Sequence, residues 1–118
     1  MVDVQDERTG SRDGADRTEP HPLSNIDQLI HAPARLMLLT YLYVVESADF
    51  VFLKRMTGLS WGNLSTHLSK LEEAGYVALD KEFRGKKPHT MVSLTEHGRT
   101  AFSEYRSRMQ EILDGLPG

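Results

Sequence analysis

Residues 58–77 read GLSWGNLSTHLSKLEEAGYV and contain the most informative pattern in the sequence. Ser60 is of a type that commonly caps the start of a helix, and Gly75 is of a type that commonly ends one. Between them the apolar residues recur every three or four positions, as an amphipathic helix requires, and they are Leu64, Leu68, Leu71 and Ala74. We therefore predict a helix over residues 60–74.

A shorter helix is predicted immediately before this one. Asp49 is expected to cap it and Gly58 to end it. Its core-facing residues are predicted to be Phe50, Val51, Leu53 and Met56. Only residues 57–59 then separate the two helices, and two helices joined by a tight Gly-containing turn form the helix-turn-helix pattern.

Two further helices are predicted upstream. Ser24 can cap a short helix that carries Ile26, Leu29 and Ile30. Pro33 suits the first position of a longer helix that continues over residues 34–45. The longer helix is apolar nearly all round, which predicts burial on more than one side. In a domain this small, we expect the second side to meet another subunit.

Downstream, two extended runs cover residues 76–83 and 90–94, around a link over residues 84–89. Apolar residues alternate within each run, and they are Val77, Leu79 and Phe83 in the first and Val92 and Leu94 in the second. This pattern predicts a two-stranded β-hairpin with one buried face.

Thr95 is expected to cap the last helix, with Glu96 in its first turn, where the helix dipole favours an acid. Its apolar residues are spaced 3, 4, 3, and they are Phe102, Tyr105, Met109 and Ile112. That spacing resembles a coiled-coil seam but is shorter than two heptads. Two interpretations stay open, since the seam can form a dimer or pack on its own domain.

The 118 residues suffice for one domain, which we place at residues 23–118. Residues 1–22 hold six acids, three arginines and few apolar side chains, so we predict a disordered acidic tail, either solvated or functional. The other 96 residues carry equal numbers of acids and bases. Residues 54–89 have a local excess of bases, which permits a polyanionic partner despite the chain's formal charge of −3.

Composition also argues against several classes of function. The absence of cysteine excludes disulfides, thiolate metal sites and cysteine nucleophiles. No segment has the length and apolarity of a transmembrane helix or a signal peptide, so a cytoplasmic protein without membrane contact is expected. The five histidines show no metal-ligand spacing, although two could converge in a dimer. We therefore predict no catalytic residue, metal or cofactor.

The solvent face of the 60–74 helix is unusual because its first turns carry uncharged hydrogen-bonding groups and no acid. Such side chains suit base edges and phosphates. The alternative is a Ser/Thr-rich exposed helix without a partner. The predicted contacts to DNA from this helix are Ser60, Trp61, Asn63, Ser65, Thr66, His67, Ser69 and Lys70.

The tip of the hairpin is basic. Arg84, Lys86 and Lys87 surround Gly85, and such a finger beside a recognition helix can bind the DNA backbone or enter the minor groove. A basic hairpin tip alone more often indicates a solvated turn. Its position directly after the helix-turn-helix favours the DNA interpretation.

Residues 58–77, together with FRGKKPHTMVSLTEHGRTAF at 83–102, resemble the small winged-helix transcriptional regulators of bacteria and archaea, near the MarR and ArsR groups. The similarity covers about residues 26–113. It implies an α+β, mostly α fold, a winged helix-turn-helix with a two-stranded wing and a C-terminal dimerisation helix. Trp61 departs from the pattern, which has a small or basic residue there. It can pack on sugar-phosphate or turn back on the domain.

The resemblance further implies a homodimer that binds double-stranded DNA and regulates transcription. Helix 60–74 would lie in the major groove and the basic wing 84–89 on the backbone or in the minor groove. The dimer interface would include Leu29, Tyr41, Phe102, Tyr105, Met109 and Ile112. The cysteine metal sites of ArsR-like proteins have no counterpart here, and no small-molecule effector is implied.

Two other classes of function stay open. A winged-helix module that binds protein and not DNA would use the apolar second helix or the terminal seam. A small-molecule sensor or enzyme would need a pocket at the dimer interface.

Overall fold

The computed structural model describes residues 22–117, and the predicted acidic tail, residues 1–22, lies outside this part except for Pro22. After a 3-10 helix over Pro22–Asn25, the chain forms four α-helices and three strands. They are α1 Pro33–Val45, β1 Ser47–Asp49, α2 Phe50–Thr57, α3 Trp61–Glu73, β2 Val77–Arg84, β3 Lys87–Leu94 and α4 Glu96–Asp114. This is a winged-helix fold, as predicted.

The predicted caps account for where the helices begin. The side chains of Asp49, Ser60 and Thr95 each accept a hydrogen bond from the backbone N–H three residues on, and so satisfy an otherwise unpaired amide. Pro33 opens α1 as expected. Gly58, which ends α2, and Gly75, which follows α3, have φ of +73° and +80°, a conformation that glycine adopts without steric cost.

The helix predicted from Ser24 to Ile30 is wrong. Beyond Asn25 the chain forms turns, in which the Asp27 carboxylate accepts hydrogen bonds from the backbone N–H groups of Leu29 and Ile30. A carboxylate that takes these donors competes with the helical pattern. Ile26 and Ile30, which the predicted helix was to carry, are both buried in the turns that form instead.

The sheet is larger than the predicted hairpin. The short strand β1 pairs antiparallel with β3, which gives the order β1-β3-β2. The strands of the hairpin also extend further than expected, since Arg84 pairs with Lys87 and only Gly85 and Lys86 form the turn. The predicted six-residue link is therefore mostly strand.

One hydrophobic core lies between the helices and one face of the sheet. Its fully buried side chains come from the segment before α1, from α1, α2 and α3, and from the sheet, and they include Ile30, Leu38, Leu39, Leu42, Leu53, Leu64, Leu68, Leu71 and Val92. Three residues predicted to face the core are exposed instead: Val51, Met56 and Phe83. The short helix α2 buries only Leu53 fully, and the hairpin projects beyond the helices that cover its base.

Candidate nucleic-acid interface

Helix α3 presents a polar surface opposite its buried leucines. Leu64, Leu68 and Leu71 are completely buried, which fixes the orientation of the helix on the core. The exposed positions are Trp61, Gly62, Asn63, Ser65, Thr66, Ser69, Lys70, Glu72 and Glu73. The two acids lie in the last turn, so the remainder of this surface offers hydrogen-bond donors and acceptors without negative charge.

Ser60 and Asn63 lie at the exposed start of α3. The Ser60 hydroxyl accepts a hydrogen bond from the Asn63 backbone N–H at 3.1 Å, so the Ser60 side chain is already engaged in capping. The Asn63 side chain is exposed, and its amide can both donate and accept. This end of the helix also has free backbone amides that suit an anion such as phosphate.

Trp61 turns back on the domain and leaves half of its surface exposed. Its ring stacks on Phe50 of α2, with centroids 6.2 Å apart and planes 10° apart. The Lys54 ammonium lies over the same ring, 5.2 Å from its centroid. The side chain is 51% exposed, so it can pack against a further surface while α2 holds it in place.

His67 is the most sheltered polar residue that was predicted on this surface. It lies on the flank of α3 that faces α1, where the Arg35 guanidinium approaches its Nδ1 at 3.2 Å. Burial, together with the positive charges of Arg35 and Lys70, lowers the pKa of His67. Because a guanidinium only donates, Nδ1 accepts the hydrogen bond and the imidazole is neutral with its proton on Nε2.

Arg35 was missed by the sequence analysis. Its Nε also donates to the Leu29 carbonyl oxygen at 2.6 Å, so one side chain ties the segment before α1 to α3. One feature of the sequence could have drawn attention to Arg35, because it is the only charged residue in α1.

The wing, defined here as the hairpin of β2 and β3, carries its cations near the tip. Lys86 and Lys87 are exposed, and Gly85 takes the positive φ of +65° that the turn needs. Arg84 is instead drawn back along the sheet, since its guanidinium lies 4.0 Å from the Asp49 carboxylate and 3.7 Å from the Met91 Sδ. The three predicted wing cations are therefore not equivalent.

The residues predicted at a dimer interface are already partly engaged within the chain. Phe102 and Tyr105 are buried, whereas Met109 and Ile112 are only partly buried. Leu29 and Tyr41 are also partly buried, and the Tyr41 hydroxyl lies 3.3 Å from the Met56 carbonyl oxygen. The first half of the terminal seam thus packs on its own domain, and its role between subunits stays a prediction.

A polar groove of about 460 Å³ runs between the segment before α1, the start of β2 and α4. In it the Tyr76 hydroxyl donates to the Asp27 carboxylate. Burial, and then this hydrogen bond, raise the pKa of Tyr76 to about 12, so the hydroxyl remains a donor near neutral pH. His31 and Tyr105 form a second link of 2.7 Å, and both links hold the segment before α1 in place.

Two negative observations apply to residues 22–117. No group of three or more His, Cys, Asp or Glu side chains is arranged to hold a metal ion there. In the same stretch, no helix combines the length and apolarity needed to cross a membrane.

The fold, the polar exposed surface of α3 and the basic wing define a winged helix-turn-helix protein. A comparison with protein families gives the same class of protein, because the family model for the winged helix DNA-binding domain matches residues 34–113. The chain therefore belongs to the winged helix DNA-binding domain family. This confirms the resemblance to small regulators inferred from the sequence.

Relatives of known sequence or structure support the assignment. An uncharacterized protein of Methanocaldococcus jannaschii is 36% identical over 86 residues, which are 73% of this chain and 90% of the relative. A transcriptional regulator homologue from Pyrococcus horikoshii OT3 has a similar structure, with a TM-score of 0.77 and 27% identity over 82% of this chain and 98% of that one.

A PadR family transcriptional regulator from Eggerthella lenta shares the fold, with a TM-score of 0.58 and 19% identity over 75% of this chain and 85% of that one. An ArsR family regulator is also among the structural neighbours. The last two neighbours are named as transcriptional regulators.

Proposed function

We propose that this protein is a transcriptional regulator, not an enzyme, that binds a specific double-stranded DNA sequence as a homodimer. The observation that carries the proposal is the exposed face of α3, which offers Asn63, Thr66 and Ser69 opposite a fully buried leucine stripe. Amide and hydroxyl groups on a helix of this kind suit the base edges of the major groove.

The family and the charge distribution support the same partner. The chain belongs to a family of winged helix DNA-binding domains. Lys70 on α3 and the exposed Lys86 and Lys87 on the wing supply cations for phosphate contacts. In the proposed complex, α3 reads bases and the wing anchors the DNA backbone.

The proposed homodimer rests on the end of α4. Leu113, in the last turn of α4, is 56% exposed and lies four residues after the partly buried Met109, beside the partly buried Ile112. Leu116, just beyond the end of α4, is 60% exposed. Apolar side chains at this spacing suit a helix pair from two subunits. A two-fold dimer would present two copies of α3 to successive turns of the major groove.

Selection from a random library of duplexes tests this proposal. The full chain is incubated with the library at moderate salt, bound duplexes are recovered over several rounds, and their sequences are determined. We expect a two-fold symmetric motif whose half-sites lie about 10 base pairs apart. Failure to enrich any motif, together with no affinity at low salt, would contradict the proposal and favour a module that binds protein.

A further inference from the structure

Phe83 is the most exposed aromatic side chain of residues 22–117, with 72% of its surface accessible. It is the penultimate residue of β2 and pairs across the hairpin with Pro88, which is also exposed. Strand alternation puts Phe83 on the face that Val77 and Leu79 turn toward the core. At about 3.3 Å per residue, it lies roughly 13 Å beyond Leu79, past the part of the sheet that the helices cover.

This exposure has no explanation in the fold of the single chain. Within residues 22–117, Phe83 has no aromatic ring contact, and it does not belong to the core or to the apolar residues packed against it. The strand that carries it is also an edge of the sheet, where an exposed apolar side chain promotes aggregation. A partner surface that covers Phe83 would remove this apolar side chain from water and would also protect the edge strand from aggregation.

The surrounding charges indicate which kind of partner that is. Lys86 and Lys87 follow Phe83 within four residues and are exposed. Arginine is a side chain that a narrow minor groove attracts, but Arg84 lies on the opposite face of the sheet from Phe83 and is directed toward Asp49 and Met91. The tip of the wing therefore presents an apolar pair beside two cations that are available for phosphates.

We propose that Phe83, backed by Pro88, is an apolar wedge that inserts between base pairs from the minor groove and bends the DNA, while Lys86 and Lys87 hold the adjacent phosphates. Phe and Pro are among the side chains that DNA-bending proteins insert between base steps, and flexible pyrimidine–purine steps are the easiest to open. This inference rests on the proposed function and adds deformation of the DNA to it.

Ligase-mediated circularisation tests the wedge. The probe is a duplex of about 120 base pairs that carries the motif enriched from the library, shorter than the persistence length of about 150 base pairs, so its closure responds strongly to a bend. We expect the wild-type chain to increase circle formation at least fivefold. Phe83→Ala should abolish the increase, and Phe83→Leu, which keeps an apolar side chain, should retain most of it.

Affinity for the same duplex separates this inference from the proposed function. Val51→Ala, which truncates an exposed apolar residue on α2, is the matched control and should circularise DNA like the wild type. Tight binding with equal circularisation by wild type and Phe83→Ala would overturn the wedge and leave the proposed function standing. No binding by the wild type would overturn both the wedge and the proposed function.

Thermal unfolding of each variant shows whether it is folded. If Phe83→Ala is unstable, the comparison between the wild type and Phe83→Leu still tests the wedge.

Discussion

Asn63 is the residue on which base reading by α3 depends most in the proposed function. Its side chain is exposed in the first turn of α3 and is of the type that pairs with adenine in the major groove. Asn63→Ala should therefore weaken binding to the enriched duplex by about 1–3 kcal/mol and relax the preference at one base pair. Competition titrations with single-base variants of the duplex measure both effects.

Gln28→Ala is the control for this substitution, because it removes an exposed amide from the segment before α1, away from α3. It should leave affinity and base preference unchanged. Equal losses in the two variants would mean that the Asn63 amide does not read a base.

His67 should make the folded state sensitive to acid. Because its pKa is lowered in the folded protein, the unfolded chain binds this proton first as the pH falls below about 6.5. The free energy of unfolding should therefore fall between about pH 6.5 and the lowered pKa. His67→Gln, whose amide oxygen can still accept from Arg35, should lose this part of the dependence.

Urea unfolding of wild type and His67→Gln at pH 7.5 and pH 5.5 measures the difference, since the other histidines are common to both proteins. We expect the wild type to lose more stability than the variant at the lower pH. Equal losses of stability in the wild type and in His67→Gln would show that His67 is not sheltered from solvent as the geometry indicates.

The roles of single residues could be predicted from the sequence only where they depend on neighbouring positions in the chain. Ser60, Asp49 and Gly75 act on backbone groups within four residues, so their roles follow from residue type and position. The Arg35–His67 contact joins residues 32 apart in sequence, and no local pattern encodes it. The exposure of Phe83 likewise depends on how far the helices extend under the sheet.

At the scale of elements, the junction of α3, β2 and α4 depends on a close backbone contact at Gly98. A Cβ at this position would lie 2.1 Å from the Tyr76 carbonyl oxygen, which also accepts a hydrogen bond from the Thr95 N–H. Gly98→Ala should therefore destabilise the protein by about 1–3 kcal/mol despite the better helix propensity of alanine. Chemical unfolding measures the change.

Gly62→Ala is the matched control in α3, because a Cβ there would contact nothing within 4 Å. It should be neutral or stabilising by up to about 1 kcal/mol. Equal stabilities of the two variants would show that the contact between Gly98 and Tyr76 can relax freely.

The cation of Lys86, near the tip of the wing, should bind DNA through its charge and not through the base sequence. Lys86→Ala removes an exposed cation at the hairpin turn, so it should weaken binding to every duplex and reduce the slope of log K against log salt by about one unit. Titrations at several salt concentrations give the slope. Arg108→Ala, which removes an exposed cation from α4, is the control and should leave it unchanged. A selective loss on the enriched duplex alone would contradict a phosphate role for Lys86.

The elements were predictable where their signals lie within a few residues. The starts of α1 to α4 follow from Pro33 and the side-chain caps, and the ends of α2 and α3 follow from Gly58 and Gly75. The end of α1 does not, because Glu46 follows it with a positive φ of 69° and is not glycine. The strand β1 could not be predicted from the sequence. The three residues Ser47–Asp49 are too few to show an alternating pattern, and they form a strand only by pairing with β3. The exposed face of α3 was predictable from its period, except that His67 lies on the flank beside Arg35.

For the whole molecule, the proposed dimer makes a prediction that leaves the single-chain fold intact. Leu113 is 56% exposed near the end of α4, so Leu113→Glu should not disturb the core. Charge at a helix pair between subunits should shift the equilibrium toward monomer and lower DNA affinity at least tenfold. Light scattering after size exclusion measures the mass.

Val51→Glu is the control for this prediction, because it places the same charge at an exposed valine of α2. The Val51→Glu variant should still have the mass of a dimer by light scattering. A wild-type protein that is monomeric at all concentrations, or a Leu113→Glu variant that remains dimeric, would contradict an interface along α4.

The proposed function depends on sequence-specific binding of double-stranded DNA, which fluorescence anisotropy of the full chain at two salt concentrations measures. The probes are the duplex enriched from the library and a shuffled duplex of the same composition. We expect tighter binding to the enriched duplex at both salt concentrations and weaker binding to both probes at the higher salt concentration. Equal affinity for the two duplexes, or no binding at the lower salt, would contradict it.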